Sequence, residues 1–184
     1  MEAQKSIEVI ERMFQESQAS LKRNSFFFIL WGVLMAVAGI LDFMLFGRSL
    51  YWVVWPIAGM IGGIISSIYG SREEKRSKVR SSGDRIMKYT WGGFIIFLIL
   101  GVVFSVLQGM SPSPIVLMLA GYATFISGGI SKFTPLIYGA IALFIGAVVT
   151  GFYTSAETHG LVFSISIVLG YVYPGIKLMQ KENA

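Results

Sequence analysis

The chain contains no cysteine and a single histidine, His159. The first absence excludes disulfides, thiolate metal sites and a thiol nucleophile. The second leaves too few ligands for zinc, which takes four protein ligands in structural sites and three in catalytic ones. Glu157 and His159 lie close in sequence but make only two. No motif places the histidine beside an acid and a nucleophile, so no triad can be assembled. H-E-x-x-H, G-x-S-x-G and phosphate-loop patterns are all missing. The chain therefore reads as a non-enzyme, with no catalytic residue, metal or cofactor assigned.

Charge is scarce too. Of the 184 residues 14% are charged and 54% hydrophobic, whereas a soluble domain carries about 25% charged residues. The charges also gather in short segments, and that pattern marks a membrane protein. A net charge of +5 could point to nucleic acid, but the basic residues sit at the edges of apolar runs. No groove-reading motif or stacking platform accompanies them, so nucleic acid is not an expected partner. The first 25 residues lack the short apolar core and small-residue cleavage site of a signal peptide.

What is present is six apolar runs. Phe26–Phe46 is the first, 21 residues long and sufficient to cross about 30 Å of hydrocarbon. Leu50–Tyr69, Tyr89–Leu107, Ile115–Ile130, Phe133–Tyr153 and Gly160–Met179 follow. Aromatic residues crowd the start of the first run at Phe26, Phe27, Phe28 and Trp31, and of the second at Tyr51, Trp52 and Trp55; such rings favour the membrane interface. Pro56 is expected to kink the second run. The Gly59-x-x-x-Gly63 pair there, and Gly93, Gly101 and Ser105 in the third run, are small residues of the kind that let helix backbones approach. Ser127 and Ser164 are expected to bond carbonyls or pack within their apolar helices. Ser155 to His159 reads as a polar outer loop.

The spans pair into three hairpins whose starts resemble one another at Trp31-Gly32, Trp91-Gly92 and Tyr138-Gly139. The second helices share Gly59, Gly121 and Gly170 at comparable positions, which suggests three parallel copies of one hairpin. Hairpins that all start on one side lack the inside/outside symmetry of inverted-repeat transporters.

Ser71 to Lys88 is the basic segment, with seven of the fifteen Lys and Arg residues. Six spans place it on the same side as both termini and Lys132, leaving Arg48 as the lone basic residue opposite. The positive-inside rule then makes that side cytoplasmic. The expected organisation is an all-α, polytopic bundle at 26–179, a cytoplasmic amphipathic helix within 1–25, the basic loop 71–88 and a tail at 180–184. The N-terminal helix carries Ile7, Ile10, Phe14 and Leu21 on one face. It lies on the membrane surface or docks a partner, and its four Glu against two Lys and two Arg favour protein contact over anionic lipid.

Asp42 is the one carboxylate inside a span, and an intramembrane carboxylate is a functional hypothesis by default. It lies near the outer end of its helix, so interfacial solvation or pairing with Arg48 would account for it. A proton or cation role is the alternative. Thr124, Ser127 and Thr150 are the other polar groups from which a transport path could be built. In the basic loop Lys75, Arg76, Lys78 and Arg80 are candidates for anionic lipid headgroups or a protein partner.

Several segments together resemble a bacterial integral membrane protein family of unknown function. They include Pro56-Ile-Ala-Gly-Met-Ile-Gly-Gly, Ile68-Tyr69 with Arg72-Glu73-Glu74-Lys75, and Met87-Lys88-Tyr89-Thr-Trp91. Ser127-Gly128-Gly129, Lys132-Phe133-Thr-Pro135-Leu136-Ile137 and Leu169-Gly170-Tyr171-Val-Tyr-Pro174-Gly175 resemble it as well, as do Ile7-Glu8 to Phe14 and Leu30-Trp31-Gly32. A His follows the Pro-Gly of the last helix in that pattern, and here Ile176 stands there, so no role of such a His carries over. The resemblance implies six helices in the bacterial cytoplasmic (inner) membrane, and no established activity.

These readings point to a non-enzymatic membrane protein acting as a partner-binding or regulatory module through its cytoplasmic face. The competing reading is a small transporter or channel for a solute or ion. The expected partners are the lipid bilayer with its anionic headgroups and a cytoplasmic protein, and the small-residue packing also allows a homo-oligomer.

Overall fold

The computed structural model describes residues 25–76 and 82–182. Among them the chain is all-α, and six helices are long and apolar enough to cross a membrane. The basic-loop residues Lys78 and Arg80 and the expected N-terminal amphipathic helix lie outside the described residues.

Helix α1 is Ser25–Leu45. A 3-10 turn at Tyr51–Val53 leads into α2, Val54–Arg76. Helices α3 (Ser82–Leu107), α4 (Ser113–Ile130) and α5 (Thr134–Phe152) follow. The last span begins as α6, Ala156–Ile167, passes through a π turn at Val168–Val172, and continues as α7, Tyr173–Glu182.

Local chemistry sets these boundaries. Pro56 falls in the first turn of α2, where its missing N–H would have had no helical partner. The expected kink is therefore unnecessary, and the chain enters through the 3-10 turn instead. Helix α3 ends on Gly109 at φ +67°. There Gly109 N–H bonds Val106 O at 3.1 Å and Met110 N–H bonds Ser105 O at 2.8 Å, the paired bonds of a Schellman cap. Helix α4 ends the same way, with Lys132 N–H to Gly129 O at 3.3 Å and Phe133 N–H to Gly128 O at 3.0 Å. Lys132, at φ +48°, occupies the left-handed position that glycine fills in α3. The π turn interrupts the last span, which the sequence presents as one continuous apolar run. It sits just before Pro174, which has no N–H to bond the carbonyl four residues back, so the ladder is re-routed there, with Tyr173 N–H bonding Val168 O.

The last span packs between α1 and α5. Along the α1 seam, a Cβ on Gly32 would lie 2.7 Å from Val172, and one on Gly175 would lie 2.8 Å from Ile29. Toward the opposite end, Gly39 and Gly160 meet backbone to backbone, each facing the other's carbonyl. The Ser164 hydroxyl lies 2.8 Å from both Ala36 O on α1 and Gly160 O on its own helix, the carbonyl bonding foreseen for this residue. On the α5 side, Gly139 approaches Gly170 O and Gly146 approaches the Ser166 side chain. Helix α4 then packs on α5 through Gly121 against Phe144, and α3 on α4 through Gly101 against Ile115. Leu117, Leu136, Leu143, Phe163 and Ile167 form the apolar centre of this stack. Helix α2 is fastened to α1 by the Trp31 indole, which donates to Ser66 Oγ at 3.0 Å and fills the space beside Gly62.

The hairpin repeat is not repeated in the packing. Gly32, Gly121, Gly139 and Gly170 are in tight contact, whereas Gly92 and Gly59 face open space. The Gly59-x-x-x-Gly63 pair is also not a packing seam of this bundle, since a Cβ on either glycine would meet nothing within 4 Å.

Candidate functional site

The polar groups proposed for a path do not converge. Thr124 Oγ1 donates to Ala120 O at 2.7 Å, Ser127 Oγ lies 2.8 Å from Ala123 O, and Thr150 Oγ1 lies 2.8 Å from Gly146 O. All three are buried and bonded to their own helices, which satisfies a hydroxyl in an apolar medium without a partner helix. Two also make cross-helix contacts. The Tyr171 hydroxyl lies beside Thr124, and Ser127 Oγ lies 3.3 Å from Met87 Sδ on α3.

Asp42 is different. It is buried, and its Oδ1 accepts a 3.0 Å hydrogen bond from the Trp55 indole N–H. Arg48 is exposed and forms no ion pair with it. The position near the helix end is as read from the sequence, but the partner is an aromatic residue assigned there to the interface belt. Asp42 and Trp55 are 13 residues apart, and the tight connection between α1 and α2 brings them together. Trp55 is itself held by an edge-to-face contact with Phe163 on α6, with centroids 4.9 Å apart.

His159 joins this group. It is not in an outer loop. Ser155 occupies the N-cap position of α6 with Glu157 in the first turn, so the polar stretch is the start of a helix, and it turns His159 inward to a buried position. A small polar residue followed by an acid at the edge of an apolar run is a helix-start signal that would have revealed this. His159 Nε2 lies 3.2 Å from Thr154 O. A carbonyl oxygen only accepts, so this bond places the hydrogen on Nε2. Nδ1 is buried with no hydrogen-bond partner. His159 interacts electrostatically with Asp42, whose Oδ2 lies against Gly160, the next residue.

The cluster thus joins three helices, with Asp42 from α1, Trp55 from α2 and His159 from α6, at the end of the bundle away from the basic loop. It offers one carboxylate and one imidazole. No group of three His, Cys, Asp or Glu able to hold a metal occurs among the described residues. Lys75 and Arg76 fall in the last turn of α2, at the other end. No family model, curated protein or solved structure matches the chain.

Proposed function

We propose that this is a non-enzymatic membrane protein of the bacterial inner membrane that binds a cytoplasmic protein partner through its basic face. The observation that carries this reading is the division of polarity. Interior hydroxyls at Thr124, Ser127 and Thr150 are bonded within their own helices and buried, so they offer a solute no polar path. Nearly all the Lys and Arg residues lie on the side of the termini and the 71–88 segment, which the positive-inside rule makes cytoplasmic. A basic surface there attracts anionic headgroups at about 1 kcal/mol per residue, and presents the same charge to an acidic partner.

The test is a cross-linked pull-down from native membranes, comparing the wild-type chain with one neutralised at Lys75, Arg76, Lys78 and Arg80. A stoichiometric partner lost on neutralisation is the expected result. Capture of the same proteins by both forms, or of none by either, overturns the proposal. A second reading, a small transporter, draws on the buried Asp42 and would appear as solute flux in liposomes that Asp42→Asn abolishes.

A further inference from the structure

We propose that His159 and Asp42 form a proton-binding site at the end of the bundle opposite the basic segment, independent of any cytoplasmic partner. His159 Nδ1 takes the proton and the Asp42 carboxylate balances the resulting imidazolium.

Three observations meet here. The bond to Thr154 O commits the Nε2 hydrogen, so the neutral ring keeps its lone pair on Nδ1. That nitrogen is buried without a donor, a condition that costs about 1–3 kcal/mol for an ordinary polar group and is retained where the group has work to do. The nearest buried carboxylate is Asp42, whose hydrogen-bond partner is the neutral Trp55 indole, so no cation already pairs with it. Asp42 stands in the last turn of α1 and His159 in the first turn of α6, so both lie toward the end of the bundle and a proton need not cross it.

The other titratable and charged groups at this end are Arg48 between α1 and α2, Tyr51 in the 3-10 turn, Tyr153 after α5, and Glu157 on α6. Arg48, Tyr153 and Glu157 are exposed, and Tyr51 packs on Phe46. The α3–α4 connection carries no charge. Among the described residues, Asp42 is therefore the one buried charged group beside the imidazole. Proton uptake forms an N–H bond at Nδ1 at the expense of hydronium and breaks no bond in the protein. Because Gly160 adjoins His159 and abuts Gly39 and Asp42 Oδ2, the change in charge falls directly on the α1–α6 seam.

The single histidine allows a direct measurement. With 15N-histidine as the only label and the protein in lipid nanodiscs, the imidazole nitrogens are followed from roughly pH 4 to 9, the range that brackets an ordinary histidine. The neutral ring is expected as the Nε2–H tautomer, with the added proton appearing on Nδ1. Asp42→Asn weakens proton uptake about tenfold, Asp42→Glu restores it, and Glu157→Gln leaves it within about twofold because an exposed charge is screened. An Nδ1–H tautomer in the unsubstituted protein, or no protonation across the range, overturns the proposal without recourse to a variant. So does an Asp42→Asn protein that takes up its proton like wild type.

Discussion

Helix α3 is the more apolar of two spans that meet opposite fates, the other being the span formed by α6 and α7. Only 6% of the α3 stretch is buried inside the protein, against 50% for Ala156–Gln180. Ile95, Ile96, Phe97, Ile99, Leu100 and Phe104 on α3 all face outward. The last span instead brings Gly160, Ser164, Ser166 and Gly170 to its neighbours. In lipid there is no hydrophobic gain in moving a leucine from tails to a protein neighbour, so apolar character marks the outside. Association comes from close backbone approach, dispersion and a few hydrogen bonds, which small and hydroxylated residues provide.

Substitutions that treat the two helices alike should separate them. The largest effect is expected for Gly160→Leu, whose side chain would meet the Gly39 carbonyl and the Phe43 backbone. Overpacking against backbone costs about 3 kcal/mol or more. A Cβ on Gly93 of α3 would meet nothing within 4 Å, so Gly93→Leu should stay within about 0.5 kcal/mol of wild type. Reversible unfolding in mixed detergent micelles reads both, and equal losses would erase the distinction between them.

Truncation of a leucine sharpens the comparison. Leu143 is wholly buried and lies over Gly170, so Leu143→Ala should cost about 2 kcal/mol. That is less than in a water-soluble core, because the cavity term survives but transfer from water does not. Leu100→Ala on the lipid face should cost less than about 0.5 kcal/mol. A loss for Leu100→Ala equal to that for Leu143→Ala would mean that α3 is covered by another surface.

The smallest effect concerns a hydrogen bond. Ser164→Ala removes the donor to Ala36 O, and such bonds between membrane helices average about 0.6 kcal/mol. Ser67→Ala, on the exposed face of α2, should be neutral on the same measurement.

The six spans were legible because crossing a bilayer demands about 20 apolar residues in a row, a property one helix carries alone. Contacts between spans were less so. Gly59-x-x-x-Gly63 has the spacing of a packing motif yet faces outward, whereas Gly39 and Gly160 sit in no shared motif and touch backbone to backbone. A close approach belongs to two helices at once, and one helix's sequence records half of it. The same holds for the candidate site. Asp42 stood out as a lone charge in an apolar run, but its partner Trp55 looked like any interfacial aromatic. His159 was misplaced because the polar first turn of a helix and a polar loop have the same composition.

The seam between α1 and the last span also governs how the molecule comes into being. The Ser164–Ala36 bond joins residues 128 positions apart, so it is among the last contacts a growing chain can make. Until the final span emerges from the ribosome, the side of α1 that carries Gly32 and Gly39 lacks the helix it packs against. Contacts this distant in sequence form late and slowly. The nascent protein therefore passes through a state in which five helices are present and the one that fills the place between α1 and α5 is missing. That interval is when a neighbouring protein, an insertase or a second nascent copy has access to surfaces that the finished bundle keeps for itself.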